Sequence, residues 1–249
     1  MSELVNECLT ELIEKKNFNE KYNEKLEKRS IKIINVIIGF IFILIGFCNL
    51  TIWGLGGCGY TLSLFIGGLV AFLITFGASG VKELFSKPVK PISNIIKFLL
   101  LAIVVSISSA IFLQVIGLKT HGNVILNGGL TPEFFVILPF QMFGEEFLGL
   151  FILIVVANLF KGNLIIGNLV SGFLFGIMHY TAYGADGITT IVQILAVQGI
   201  SRIIFNFAAL KGNSIWTSWA VHTIFDCLIF GLFIFYLKKI KRPKIIDRV

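Results

Sequence analysis

Seven apolar stretches, at about 32–53, 60–80, 94–117, 134–159, 163–181, 187–210 and 213–237, are separated by short polar joints. A helix needs about 20 apolar residues to cross the hydrocarbon core of a bilayer, with a range near 17–25. Each stretch meets that requirement, 163–181 being the short one. None alternates apolar and polar residues with period two, which argues against a transmembrane barrel. The pattern predicts an all-α fold, a polytopic transmembrane helix bundle of about seven or eight membrane segments. It divides into a charged N-terminal tail (1–31), N-terminal transmembrane helices (32–130), a set of polar-containing core helices (131–237) and a basic C-terminal tail (238–249).

The N-terminal tail alternates Glu and Lys around Leu4, Leu9, Leu12, Ile13 and Leu26. That pattern suits a helix on the membrane surface, and equally a solvated helix with internal ion pairs. Lysines in this tail and in the joint at 81–97 place the N-terminus in the cytoplasm by the positive-inside rule. The basic tail after 237 asks for the same side, yet seven crossings would put the two ends on opposite sides. Either one segment is broken or re-entrant or an eighth crossing is hidden, and the stretch 182–212, with Gly184, Gly187, Gly199, Gln198, Ser201 and Arg202, is the suspect.

Composition narrows the class. The chain is 56% hydrophobic and 14% charged, with a mean hydropathy of +0.89, against about 25% charged residues in ordinary globular domains. It reads as a multi-pass protein of the cell membrane, with the lipid bilayer as its first partner. The net charge of +7 comes from lysines and arginines at segment ends, where anionic headgroups favour them. Nucleic acid is therefore excluded as a partner. Cys8, Cys48, Cys58 and Cys227 form no CxxC pair and no disulfide framework. Gly54, Gly56 and Gly59 spell GxGxxG but join two membrane segments, so they read as a turn and not as a dinucleotide fingerprint. Gly172 and Gly176 form a small-xxx-small pair suited to close helix packing.

The informative residues are the ionisable groups inside the apolar stretches. An ionisable side chain at the bilayer centre costs roughly 2.5–3.5 kcal/mol on insertion scales and marks a functional site by default. Glu145 and Glu146 lie in 134–159, His179 near the end of 163–181, and His222 with Asp226 in 213–237. Adjacent helical positions point about 100° apart, so one glutamate can face a cavity while the other pairs with a neighbouring helix. Phe175 and His179 share a helix face, as do His222 and Asp226. A carboxylate one turn from an imidazole can fix its tautomer.

A glutamate and two histidines near one point support two chemistries. The glutamate could be a general base on water with a histidine helping, or Glu145, His179 and His222 could hold a zinc ion that activates the water. Both lead to hydrolysis. Blander readings stand beside them: an interfacial His179, a structural His222–Asp226 pair, or a glutamate pair serving proton transfer in a transporter. His121 reads as a loop residue, Asp186 as a helix cap, and Trp216 and Trp219 as interfacial aromatics.

In order and spacing, Glu145-Glu146-Phe-Leu-Gly-Leu150, Phe175-Gly-Ile-Met-His179 and His222-Thr-Ile-Phe-Asp226 resemble the motifs EExxxR, FxxxH and HxxxN/D. These belong to the CAAX prenyl protease and bacteriocin-processing (Abi) intramembrane proteases. The similarity covers roughly 130–230, making 131–237 the catalytic core helices. The resemblance implies a helical bundle with a polar cavity, a water activated by Glu145 and His179, and an oxyanion stabilised by His222 and Asp226. An ionised Asp226 cannot donate a hydrogen bond, so it is expected to orient His222. The expected substrate is a membrane-associated peptide or protein. One departure stands out: the motif arginine is Leu150 here. Arg202, the one arginine within the apolar stretches, is expected to replace it as the partner of Glu146, with Glu146, Phe175 and Arg202 in supporting positions. If nothing replaces it, the alternative is a non-catalytic scaffold, such as a bacteriocin-immunity-type protein.

Overall fold

A computed structural model describes residues 30–124, 130–184 and 186–241, with the backbone alone at 58 and 233–241. Most of both charged tails lies outside them, including the expected surface helix within 1–31. Among the described residues the fold is all helical: α1 (Ile33–Cys48), α2 (Ser63–Leu84), α3 (Pro91–Val115), α4 (Pro132–Leu159), α5 (Leu164–Met178), α6 (Ile188–Ile194), α7 (Ile200–Gly212) and α8 (Ile215–Lys241). A π-helical turn, Leu195–Gly199, fuses α6 to α7.

Local chemistry sets the helix ends. Thr131 caps α4 by accepting from Phe134 N, with Pro132 in the first turn, where its missing N–H costs nothing. Asn163 caps α5 by accepting from Ile165 N and Ile166 N. Asn213 closes α7 in the left-handed conformation at φ 50°, a conformation asparagine tolerates better than most residues.

Among the described residues, six helical runs are long and apolar enough to cross a membrane: Ile33–Trp53, Gly59–Leu84, Pro91–Val115, Pro132–Leu159, Ile188–Gly212 and Ile215–Leu232. The protein is a multi-pass membrane protein. The seventh, α5, has 15 residues, about 22 Å at 1.5 Å per residue, and falls short of a ~30 Å core. The expected break in 182–212 is not re-entrant. The chain bulges at the π-turn and continues as one run from Ile188 to Gly212.

Hydrogen bonds between joints define two ends of the bundle. At one, Val89 N donates to Gly212 O at 2.8 Å and Ser214 Oγ to Ser86 O at 2.6 Å. At the other, His121 N donates to Gln193 Oε1 at 2.8 Å and Gln193 Nε2 to His121 O at 2.7 Å. Helix α8 starts at the first end and brings Phe230 to Phe134, near the start of α4, with ring centroids 5.2 Å apart. Helix α1 starts beside Ile74 of α2, where Asn35 Nδ2 donates to Ile74 O. The described helices therefore begin at one end of the bundle and finish at the other; the basic tails behind the charge-based expectation lie mostly outside the described residues. The α5 run keeps the helices alternating despite its shortness.

Small residues bring helices close. A Cβ on Gly172 would meet Ile203 Cγ1 at 2.6 Å and Gly199 O at 2.8 Å, so the Gly172–Gly176 face is the seat of the π-turn. Phe72, Phe147 and Phe151 form the aromatic centre of the α2–α4 interface, with centroids 5.5 and 5.6 Å from Phe72. Gly54 and Gly56 adopt positive φ in the α1–α2 joint, a turn as expected.

Candidate active site

The two adjacent glutamates divide as helical geometry requires. Glu146 is fully buried, while the Glu145 side chain keeps 20% of its exposure. Arg202 reaches Glu146 from α7, with Nη1 donating to Oε1 at 2.7 Å and Nη2 to Oε2 at 2.9 Å. Both side chains are 0% exposed. Such a fork-to-fork pair fixes both planes. Leu150, at the motif-arginine position, is buried in the apolar core instead.

The remaining guanidinium surface is also satisfied. Arg202 Nε donates to Asn206 Oδ1 at 3.0 Å. Asn206 Nδ2 donates to Asn168 Oδ1 at 2.7 Å and to Ser171 Oγ at 3.0 Å, and Ser171 Oγ donates to Gly149 O at 2.7 Å. Phe175 and Phe205 flank the cation, with ring centroids 5.4 and 5.5 Å away. Gly149 makes room, because a Cβ there would lie 2.8 Å from Arg202 Cδ and Nε. A buried charge pair holds only when its remaining donors find partners, and here each guanidinium nitrogen has one. Sequence reasoning missed Asn168, Ser171 and Gly149. The two polar residues at i and i+3 in an otherwise apolar helix were the available signal.

Glu146 in turn holds His222. The imidazole Nδ1 lies 2.8 Å from Glu146 Oε1. Both Glu146 oxygens already accept from Arg202, so Nδ1 is the donor. His222 Nε2 then faces Glu145 Oε2 and Asp226 Oδ2, each at 3.7 Å, too far for a direct hydrogen bond. Phe205 stacks on the His222 ring at 4.4 Å. The Asp226 side chain is 22% exposed, like that of Glu145.

His179 caps the C-terminal end of α5. Its Nδ1 donates to Phe175 O at 2.8 Å, leaving Nε2 uncommitted by that bond, and its ring packs on Phe175 at 4.7 Å. Phe175 also approaches His222 at 6.3 Å, so this ring bridges the two histidines. Among the described residues no three His, Cys, Asp or Glu side chains converge as a metal site would. Glu145, His179 and His222 in this arrangement do not fit the tight tetrahedral ligation of zinc.

Tyr183 ends the 3-10 turn Tyr180–Tyr183 that follows His179. Gln198 Nε2 donates to its hydroxyl at 2.6 Å. Burial pushes the Tyr183 phenol up to about 12, helped by the charges of Asp226 and Glu145 and opposed by hydrogen bonds with Asn123 and Gln198. Nearby, His121 is more than a loop residue: its Nε2 lies 2.7 Å from Asp186 Oδ2. Asp186 does not cap α6, a position held by Gly187. It accepts instead from Thr190 Oγ1 at 2.9 Å. The Thr190 hydroxyl, with His121 behind it, holds this carboxyl below its ordinary range.

Residues 127–228 match the family model described as Rce1-like, type II CAAX prenyl endopeptidase Rce1-like. All the site residues above except His121 and Asn123 fall within that match. This part of the chain is similar to that family of endopeptidases. No curated protein and no solved structure matches the chain.

Proposed function

We propose that the protein is an intramembrane endopeptidase of the cell membrane that hydrolyses a peptide bond in a membrane-associated peptide or protein. The carrying observation is the buried chain Arg202–Glu146–His222, which presents His222 Nε2 toward the partly exposed Glu145 and Asp226. Glu145 is the general base: it takes a proton from water as the oxygen adds to the substrate carbonyl carbon. It then returns that proton to the leaving nitrogen as the C–N bond breaks. His179 helps hold the water. His222 Nε2 supports the oxyanion when protonated, and Asp226 orients it. Glu146 and Arg202 act through His222 and do not touch the substrate.

The competing reading is a non-catalytic scaffold, which draws on the loss of arginine at Leu150. Arg202 supplies Glu146 with a full bidentate partner from another helix, which is why we favour the active enzyme. The test uses the full chain purified in a lipid nanodisc and an internally quenched farnesylated peptide ending in a CAAX tetrapeptide. Cleavage lost in Glu145→Gln, His179→Ala and His222→Ala, each folded, supports the reading. Cleavage retained in Glu145→Gln rules out this base.

A further inference from the structure

The hydroxyl of Tyr183 has geometry that the scheme above leaves unused. Three features define its setting. Tyr183 lies on the 3-10 turn whose first bond, Ala182 N to His179 O at 3.0 Å, ties that turn directly to a site histidine. Its oxygen accepts from Gln198 Nε2 at 2.6 Å, and Gln198 belongs to the π-helical turn Leu195–Gly199. Such turns insert one extra residue in a helix and recur at functional sites. Here the turn is seated against Gly172 and Gly176, close to Gly199 O and Ile194 O. The amide that holds the phenol is thereby anchored to the helix that carries His179.

Chemistry decides what such a hydroxyl offers. A phenol has one proton and accepting lone pairs. Gln198 donates to this oxygen and Asn123 bonds it too; both bonds favour the charged oxygen, as donors to it do, so neither consumes the proton. The phenol stays neutral across the working pH range, since its pKa is pushed up to about 12 by burial first and by the Asp226 and Glu145 charges after it. Asp226, by contrast, is a carboxylate with no proton to give when ionised. The site therefore has two partly exposed carboxylates and a neutral O–H donor close enough to feel the charge of both.

We infer that Tyr183, aimed by Gln198, is a catalytic residue that donates a hydrogen bond to the carbonyl oxygen of the scissile peptide as that oxygen becomes negative. The inference rests on the hydrolytic reading given above. The O–H bond does not break: the phenol strengthens its hydrogen bond as charge develops and relaxes when the tetrahedral species collapses. Gln198 is a positioning residue that acts through Tyr183.

The test compares wild type, Tyr183→Phe, Gln198→Leu and Tyr183→Phe/Asp226→Asn in nanodiscs with the quenched farnesylated CAAX peptide, after checking that each is monodisperse and equally heat-stable. Removing one oxyanion donor costs about 10²–10³ in kcat. The expected result is a kcat drop of about a hundredfold in Tyr183→Phe with KM little changed. Gln198→Leu falls between, and the Asp226→Asn background restores part of the rate by supplying an amide donor. A merely structural Tyr183 would not give that rescue. Wild-type kcat in Tyr183→Phe, with Glu145→Gln inactive, overturns this role alone. Absence of cleavage by wild type, of this peptide and of every protein in its own membranes as read by new peptide termini, overturns the hydrolytic reading and this role with it.

Discussion

Arg202 and Glu146 meet through two parallel hydrogen bonds of 2.7 and 2.9 Å at positions 0% exposed. Each would be intolerable there alone, and each explains the other. The pair also determines the donor at His222 Nδ1, so a contact between two buried groups sets the orientation of the ring that faces the site.

Removing one partner leaves an unpaired buried charge. Arg202→Met is expected to cost about 3–5 kcal/mol, the penalty usual for breaking a buried pair, and to abolish activity. Arg202→Met/Glu146→Leu should regain much of the stability and none of the activity, because His222 has lost the group that orients it. Urea or thermal unfolding in detergent checks the first, and peptide cleavage the second.

Leu150→Arg restores the motif arginine, and is nevertheless expected to harm. Glu146 is already saturated, and Leu150 is 2% exposed in an apolar cluster. A second cation there has no partner. Yield of folded protein by size-exclusion chromatography should fall sharply.

Gly149→Ala pushes a methyl to within 2.8 Å of Arg202. Overpacking of this kind costs roughly 1–3 kcal/mol. Because the displaced group is the guanidinium, activity should fall more than stability does, read as kcat against melting temperature.

Trp219 donates Nε1–H to Pro139 O at 2.7 Å and stacks on Phe143 at 4.6 Å. Trp219→Phe keeps the ring and removes the donor, so a loss of about 0.5–1.5 kcal/mol is expected, measurable by unfolding.

The Asp186 carboxyl is held below its ordinary pKa by Thr190 first and His121 after it. A depressed folded-state pKa adds stability above the unfolded value, near 4, and loses it as pH falls through the folded one. The wild type should lose stability below about pH 4 more steeply than Asp186→Asn, compared by melting temperature between pH 6 and pH 3.

The membrane helices were legible because apolar runs have one reading at this length. The site was legible because Glu145, Glu146, His179, His222 and Asp226 are costly where they stand. That Arg202 would pair with Glu146 was legible from the missing motif arginine at Leu150; the Asn168, Ser171 and Gly149 contacts around the pair were not, since they depend on how α5 and α7 pack. The zinc alternative looked open because residue type alone cannot show whether Glu145, His179 and His222 are drawn together as three ligands, which they are not. The lysines of the two tails report orientation only statistically and lie mostly outside the described residues, whereas the joints at Ser86–Ser214 and His121–Gln193 set the order of the helix ends by contact. Trp219 read as an interfacial ring, but its N–H is taken by a carbonyl inside the bundle.

The most direct test of the central claim, that Glu145 drives peptide hydrolysis from this site, is made in cells. Membrane proteomes from cells carrying wild type and cells carrying Glu145→Gln, at equal membrane levels, are compared for new peptide termini by mass spectrometry. The account predicts termini present with wild type and absent with the variant. Identical termini, with the wild-type phenotype intact in the variant, would contradict it.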